Sequence, residues 1–132
     1  MEHSDFKKYL SYFLFLISVH SFAVGVGLLF ISPSILEFFG LVDYKESFFQ
    51  AQGGVFHIAM SVAYLMAGIN IHKSVRLIQF IITVKLIAFV FLVFYFVFVF
   101  PAWLILFSGI GDGVMGAIIL ILYRLSDLNT TK

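Results

Sequence analysis

The chain has 132 residues, of which 62% are hydrophobic and 11% charged, with a formal net charge of +1. Because a soluble domain is only about half apolar, this composition predicts an integral membrane protein and excludes a soluble enzyme. The balanced charge offers no basic field for nucleic acid, and the absence of cysteine excludes disulfides, iron–sulfur clusters and the thiol chemistry of quinone-linked four-helix oxidases.

Four apolar runs fill most of the chain, at about residues 9–31, 48–70, 77–100 and 102–123. Each exceeds the length of about 20 residues that a helix needs to cross a bilayer. The phenylalanine-rich third run favours a strand by residue preference, but an isolated strand leaves its backbone unsatisfied in lipid. The sequence therefore predicts one all-α domain over residues 1–132, an antiparallel bundle of four transmembrane helices.

The first run is predicted to stay in the mature protein as a membrane span. Lys7 and Lys8 precede it, as in a secretory signal, but the run is too long and no clear small-residue cleavage site closes it. Within it, Ser18, Ser21 and Gly25 recur at steps of three and four residues. They form a small-residue face that suits close contact with another helix.

A short helix in the membrane interface is predicted between the first two spans. Pro33 suits its first turn, and Gly40 suits the position just after its end. Apolar residues surround Glu37, as in a helix that lies on the membrane surface. Further along, Asp43 and Glu46 have the spacing of a capping box and are predicted to start the second span.

The second span carries a polar stripe. Its members recur at steps of four and three residues and share one helical face: Gln50, Gly54, His57, Ser61, Tyr64 and Gly68. An imidazole, an amide and hydroxyls facing hydrocarbon are unfavourable. The stripe is therefore predicted to face protein, a cavity or a ligand.

The basic residues outside the apolar runs predict the orientation, because cytoplasmic loops carry an excess of Lys and Arg. Only Lys45 falls on one side, whereas six basic residues fall on the other: Lys7, Lys8, Lys73, Arg76, Arg124 and Lys132. The chain is therefore predicted to be a multi-pass membrane protein with both termini in the cytoplasm.

Four ionisable residues lie inside the predicted spans: His20, His57, Lys85 and Asp112. At a rise of about 1.5 Å per residue, the first two and Asp112 fall at one depth, and Lys85 falls about 7 to 8 Å nearer the cytoplasmic side. Since intramembrane ionisable groups usually turn inward toward partners, we expect a polar layer in a shared interior.

Each member of this layer also has a purely structural interpretation. Asp112 either has a functional role or forms an ion pair or hydrogen bond with His20, His57 or Lys85 that only fixes the helix register. Lys85 either snorkels to the headgroups or forms a buried salt bridge. Direct contact with Asp112 is disfavoured, because each side chain leans toward the N-terminus of its own helix and the two N-termini lie on opposite sides of the membrane. The glycines around Asp112, including the Gly109-x-x-x-Gly113 motif, favour close helix packing.

Two cofactor hypotheses use the histidines. A haem b with His20 and His57 as axial ligands fits their common depth, but hydrogen-bonded core histidines are more common. A divalent metal on these histidines and Asp112 has no local ligand motif to support it, so no metal site is predicted. No nucleophile–base pair, phosphate loop or dinucleotide fingerprint occurs in the sequence.

Short matching features extend over most of the chain: Pro33, Gly40, Gln52-Gly53-Gly54, Tyr64, Lys85, Asp112-Gly113 and Gly116. In these features the chain resembles the DoxX-like and BphX-like group of small four-helix bacterial membrane proteins. The resemblance implies a location in the bacterial inner (cytoplasmic) membrane. Some members of that group are associated with membrane-bound oxidoreductase complexes, so the resemblance implies an accessory role in such an assembly. It implies no catalytic residues.

The function that these features favour is non-enzymatic. We expect a membrane protein that binds a hydrophobic ligand, such as a quinone or a lipid, or an accessory subunit of a membrane redox assembly. In that case His57, Gln52 and Tyr64 would hydrogen-bond the ligand and Asp112 would hold or exchange a proton. The alternatives are an oligomeric proton- or ion-coupled transporter, with His20 and His57 as relay partners of Asp112, and a haem b electron-transfer protein.

Overall fold

The computed structural model describes residues 3–40 and 47–128 and contains five helices in this part of the chain. They are α1 (His3–Phe30), α2 (Pro33–Phe38), α3 (Ser47–Ile69), α4 (Val75–Phe98) and α5 (Trp103–Leu125). The four long helices are each long and apolar enough to cross a membrane. They confirm four apolar helices in the predicted order. Their ends lie within two residues of the predicted ones, except that α1 begins at His3, well before residue 9.

The long helices form a four-membered ring. Helix α1 packs along α3, and α4 packs along α5, while fewer contacts join α1 to α5 and α3 to α4. Within the described residues, the backbones of the diagonal pairs, α1 with α4 and α3 with α5, do not approach each other. The predicted all-α bundle is therefore confirmed, and it consists of two tightly packed helix pairs with looser contacts between them.

Helix α2 occupies the place predicted for the short helix. Pro33 lies in its first turn, and Gly40 follows its end with a φ of +90°, a left-handed conformation that glycine adopts without strain. Ala102 lies beside Gly40, so the turn after α2 contacts the connection between α4 and α5. The predicted capping box of Asp43 and Glu46 lies outside the described residues.

The polar stripe of α3 faces α1, which satisfies the prediction that it faces protein. Ser11 Oγ donates a hydrogen bond to the Gly68 carbonyl (2.6 Å), and Ser18 Oγ donates to the Ser61 carbonyl (2.7 Å). At the other end, the Gln50 side-chain amide donates to the Leu28 carbonyl (2.6 Å). Residue numbers rise along α1 as they fall along α3, so the two helices are antiparallel.

Small residues allow α1 and α3 to approach closely near the Gln50–Leu28 end of this interface. A β-carbon added to Gly25 would lie 2.7 Å from the Gly54 carbonyl oxygen, and one added to Gly54 would lie 2.8 Å from the Gly25 carbonyl oxygen. Only glycine fits at these two positions without moving the helices apart.

Glycines also allow α4 and α5 to approach each other closely. A β-carbon at Gly113 would lie 2.7 Å from the Phe89 ring, and one at Gly116 would lie 3.1 Å from the β-carbon of Lys85. The predicted close packing around Asp112 is thus present. The outward faces carry large exposed apolar side chains, including Phe91, Phe94 and Phe98 of α4, as expected for helices surrounded by lipid.

Two neighbouring glycines of α1 provide a test of this packing. We expect Gly25→Ala to lower the free energy of unfolding by about 1–3 kcal/mol, because the added methyl group forces α1 and α3 apart. Gly27→Ala is the matched control, since a β-carbon there meets no atom within 4 Å. Unfolding in mixed detergent micelles, followed by circular dichroism, measures both. Equal stabilities for the two variants would contradict this account of the interface.

Candidate functional site

The centre of the bundle contains an ion pair between α4 and α5. Lys85 Nζ lies 2.5 Å from Asp112 Oδ1, and the two side chains are 5% and 14% exposed. A buried charge requires such a partner, because leaving either group alone in a low-dielectric interior is strongly unfavourable. Of the structural partners predicted for Asp112, the structure therefore selects Lys85.

Of the two alternatives for Lys85, the structure selects the buried salt bridge over snorkelling to the headgroups. The expectation that the opposite leanings of the two side chains disfavour contact with Asp112 is wrong. The β-carbon of Lys85 lies opposite Gly116, four residues beyond Asp112 in the chain. This offset is about 6 Å along the axis, and the flexible four-carbon stem of lysine spans it.

Two residues of α3 complete this group. Lys85 Nζ lies 5.5 Å from the centre of the Tyr64 ring, within cation–π range, and Tyr64 is only 2% exposed. His57 lies two turns away on the same helix face, about 10 Å from Tyr64 along the axis. We call His57, Tyr64, Lys85 and Asp112 the central cluster.

Ser21 of α1 holds the His57 ring. The serine Oγ donates to the His57 carbonyl (3.0 Å) and lies 3.3 Å from His57 Nδ1. Because the hydroxyl has a single proton, donation to the carbonyl leaves Oγ to accept from Nδ1–H, which makes Nε2 the acceptor of the imidazole. The central cluster is thus packed and oriented from α1 as well as from the other three long helices.

Two predicted site residues lie elsewhere. Gln52 is exposed on α3 and does not join the central cluster. His20 is also exposed, so its predicted inward position is wrong. In α1, the side that carries Ser18, Ser21 and Gly25 packs on α3, and His20 is turned by about 100° from Ser21.

His20 lines a groove of about 500 Å³ between α1 and α5. The other lining residues are mostly apolar: Phe13, Leu16, Ile17, Gly111, Val114 and Met115. Within the described part of the chain, His20 makes no hydrogen bond. We call this feature the His20 groove. Sequence reasoning missed its apolar members because lining residues of this type look like ordinary core or lipid-facing positions, although Gly111 directly precedes Asp112 in the chain.

A bis-histidine haem stays a prediction. Ser21 occupies one side of the His57 ring at the contact of α1 with α3, whereas His20 faces the groove between α1 and α5. Two axial ligands must place their rings on facing sides of one iron. Among residues 3–40 and 47–128, no group of three or more His, Asp or Glu side chains is placed to hold a metal ion.

Comparisons with known proteins identify no relative of this chain. No protein-family model matches the chain, and neither a curated protein nor a solved structure is significantly similar to it. The resemblance to the DoxX-like and BphX-like group stays a prediction.

A double-mutant cycle tests the ion pair. We expect Asp112→Leu and Lys85→Met each to destabilise the protein by about 3–5 kcal/mol, because each leaves the other charge buried without a partner. Replacing both residues, as Lys85→Met with Asp112→Leu, should restore most of that stability. Detergent unfolding measures each variant, with Thr83→Val on the exposed side of α4 as the control. Additive losses in the double variant would show that the two groups do not act as a pair.

Proposed function

We propose that this chain is an integral membrane protein that binds a small hydrophobic ligand in the His20 groove. The ligand class is an apolar molecule with a hydrogen-bonding head, such as a quinone or a lipid. In this proposal the protein works without catalysis of its own, as a carrier of that ligand or as an accessory subunit of a membrane redox assembly.

The observation that supports the proposal is an exposed imidazole in an apolar groove. His20 lies 10 residues before Phe30, at the end of α1, and thus about 15 Å from that end of the span. At this depth water does not reach an outward-facing side chain, and an imidazole without a partner is unfavourable in hydrocarbon. A ligand that hydrogen-bonds the imidazole removes this penalty.

The chemistry of the groove fits that ligand class. A neutral imidazole offers one N–H donor and one acceptor, which suits the carbonyl of a quinone or the hydroxyl and ester groups of a lipid. The apolar walls formed by Phe13, Leu16 and Met115 suit a ring or an acyl chain. Small-molecule sites commonly combine such apolar walls with few polar groups.

In this assignment the central cluster supports the site instead of contacting the ligand. Gly111 lines the groove, and the next residue, Asp112, is held by Lys85 in the interior. The ion pair therefore determines how α5 is turned and which of its residues face α1. His57, Tyr64 and Asp112 act as positioning residues, and Gln52 takes no part.

Binding of decylubiquinone to the detergent-purified protein tests the proposal. We expect His20→Leu to weaken binding about tenfold, the equivalent of one hydrogen bond of about 1.4 kcal/mol. Gln52→Leu removes another exposed polar side chain and should leave binding unchanged. Native mass spectrometry of the wild-type protein should show a retained small hydrophobic molecule that His20→Leu loses. Retention of a second copy of the chain in its place would assign the groove to oligomerisation.

The buried ion pair favours a second candidate, a proton-coupled transporter in which Asp112 changes protonation during the cycle. The two candidates differ in proteoliposomes that carry a pH gradient. Under the ligand-binding proposal, wild-type protein and Asp112→Asn show the same proton flux as empty liposomes. A flux that requires wild-type Asp112 would support the transporter and contradict the ligand-binding proposal.

A further inference from the structure

A second groove lies at the end of the bundle where α1 begins and α3 ends. It has a volume of about 520 Å³ and, unlike the His20 groove, it is rich in polar and basic groups. Helix α1 contributes Ser4, Lys7, Lys8, Ser11 and Tyr12, and the end of α3 with the following turn contributes residues 68–72. We call it the basic groove.

The lysines of the basic groove are available to a ligand. Within the described part of the chain, neither Lys7 nor Lys8 forms an ion pair, and no acidic residue lines the groove. Their ammonium groups, together with the His72 side chain and the Ser4 hydroxyl, supply several hydrogen-bond donors around one cavity. Such a set of donors suits an anion with several oxygens.

A structural role as helix caps does not account for these lysines. Basic side chains often satisfy the last carbonyl groups of a helix. Here the Gly68 carbonyl accepts from Ser11 Oγ, the Asn70 carbonyl from the Lys73 N–H, and the Ile71 carbonyl from the Ser74 N–H. These three carbonyl groups, at and just after the end of α3, therefore already have partners from the chain.

Apolar surface beside the groove indicates which anion it takes. Tyr12 and Ile69 line the groove and are 58% and 69% exposed, and both belong to spans that continue into the predicted hydrocarbon region. A free phosphate ion gains nothing from such surface, whereas the acyl chains of a phospholipid would cover it. The depth also fits, because the groove lies at the ends of two predicted membrane spans.

We propose that the basic groove binds the phosphate of an anionic phospholipid. Lys7 and Lys8 contact the phosphodiester oxygens, Ser4 and His72 hydrogen-bond the headgroup, and the acyl chains lie against Tyr12 and Ile69. The attraction is a charge interaction between lysines and phosphate at the membrane surface, so salt weakens it. This site is separate from the His20 groove and does not depend on the ligand proposed there.

Native mass spectrometry of the detergent-purified protein tests the site, with dioleoyl-phosphatidylglycerol and dioleoyl-phosphatidylcholine as probes. We expect the anionic lipid to bind at least about fivefold more tightly than the zwitterionic one. The double variant Lys7→Gln with Lys8→Gln should lose this preference. Lys73→Gln is the matched control, because Lys73 belongs to the same basic end but does not line the groove.

Either of the following two results would contradict the proposal. Equal binding of the two lipids, or an equal loss of preference in Lys73→Gln, would show only a diffuse surface charge. Displacement of the anionic lipid by inorganic phosphate at an equal concentration would assign the groove to the free ion. His20→Leu should keep the preference for the anionic lipid. The experiment therefore tests lipid binding in the basic groove independently of ligand binding in the His20 groove. Circular dichroism verifies that the lysine variants retain their helices.

Discussion

The bundle depends on the close approach of α1 and α3. In lipid no hydrophobic force drives helices together, so their association relies on tight packing and on hydrogen bonds across the contact. Gly25 and Gly54 bring the two backbones within reach, and only at that separation do the serine hydroxyls of α1 meet the carbonyl groups of α3. Each of these bonds is weak alone, but the row of them determines how far α1 is turned about its axis. That rotation places Ser21 against His57 and leaves His20 on the side of α5.

The Lys85–Asp112 pair imposes a second constraint, on the other half of the bundle. Two charges taken out of water do not by themselves add much stability, because their desolvation offsets their attraction. They do penalise every arrangement that separates them. The pair therefore specifies how α4 and α5 face each other, and the contact of Lys85 with Tyr64 extends that specification to α3.

These constraints explain which features could be read from the sequence. The four spans and the polar stripe of α3 follow from local patterns, since length, hydropathy and helical period need no knowledge of neighbours. Counting residues also predicts depth along a helix, but it does not predict the direction in which a side chain points. His20 and His57 share a depth, yet the rotation of α1 against α3 separates them. The position of Lys85 was undetermined for a different reason, because its long stem reaches either the headgroups or Asp112 and only the packed structure decides.

The location of the His20 groove follows from the same division into helix pairs. Glycine contacts close the interfaces within each pair, α1 with α3 and α4 with α5, whereas the contact of α1 with α5 is less extensive. A space at that contact does not disturb the two interfaces that stabilise the bundle. A molecule bound there contacts one helix from each pair, so its binding free energy adds to the stability of the assembled ring over any state in which the pairs separate. A ligand in this groove would therefore be a structural component of the bundle as well as its cargo.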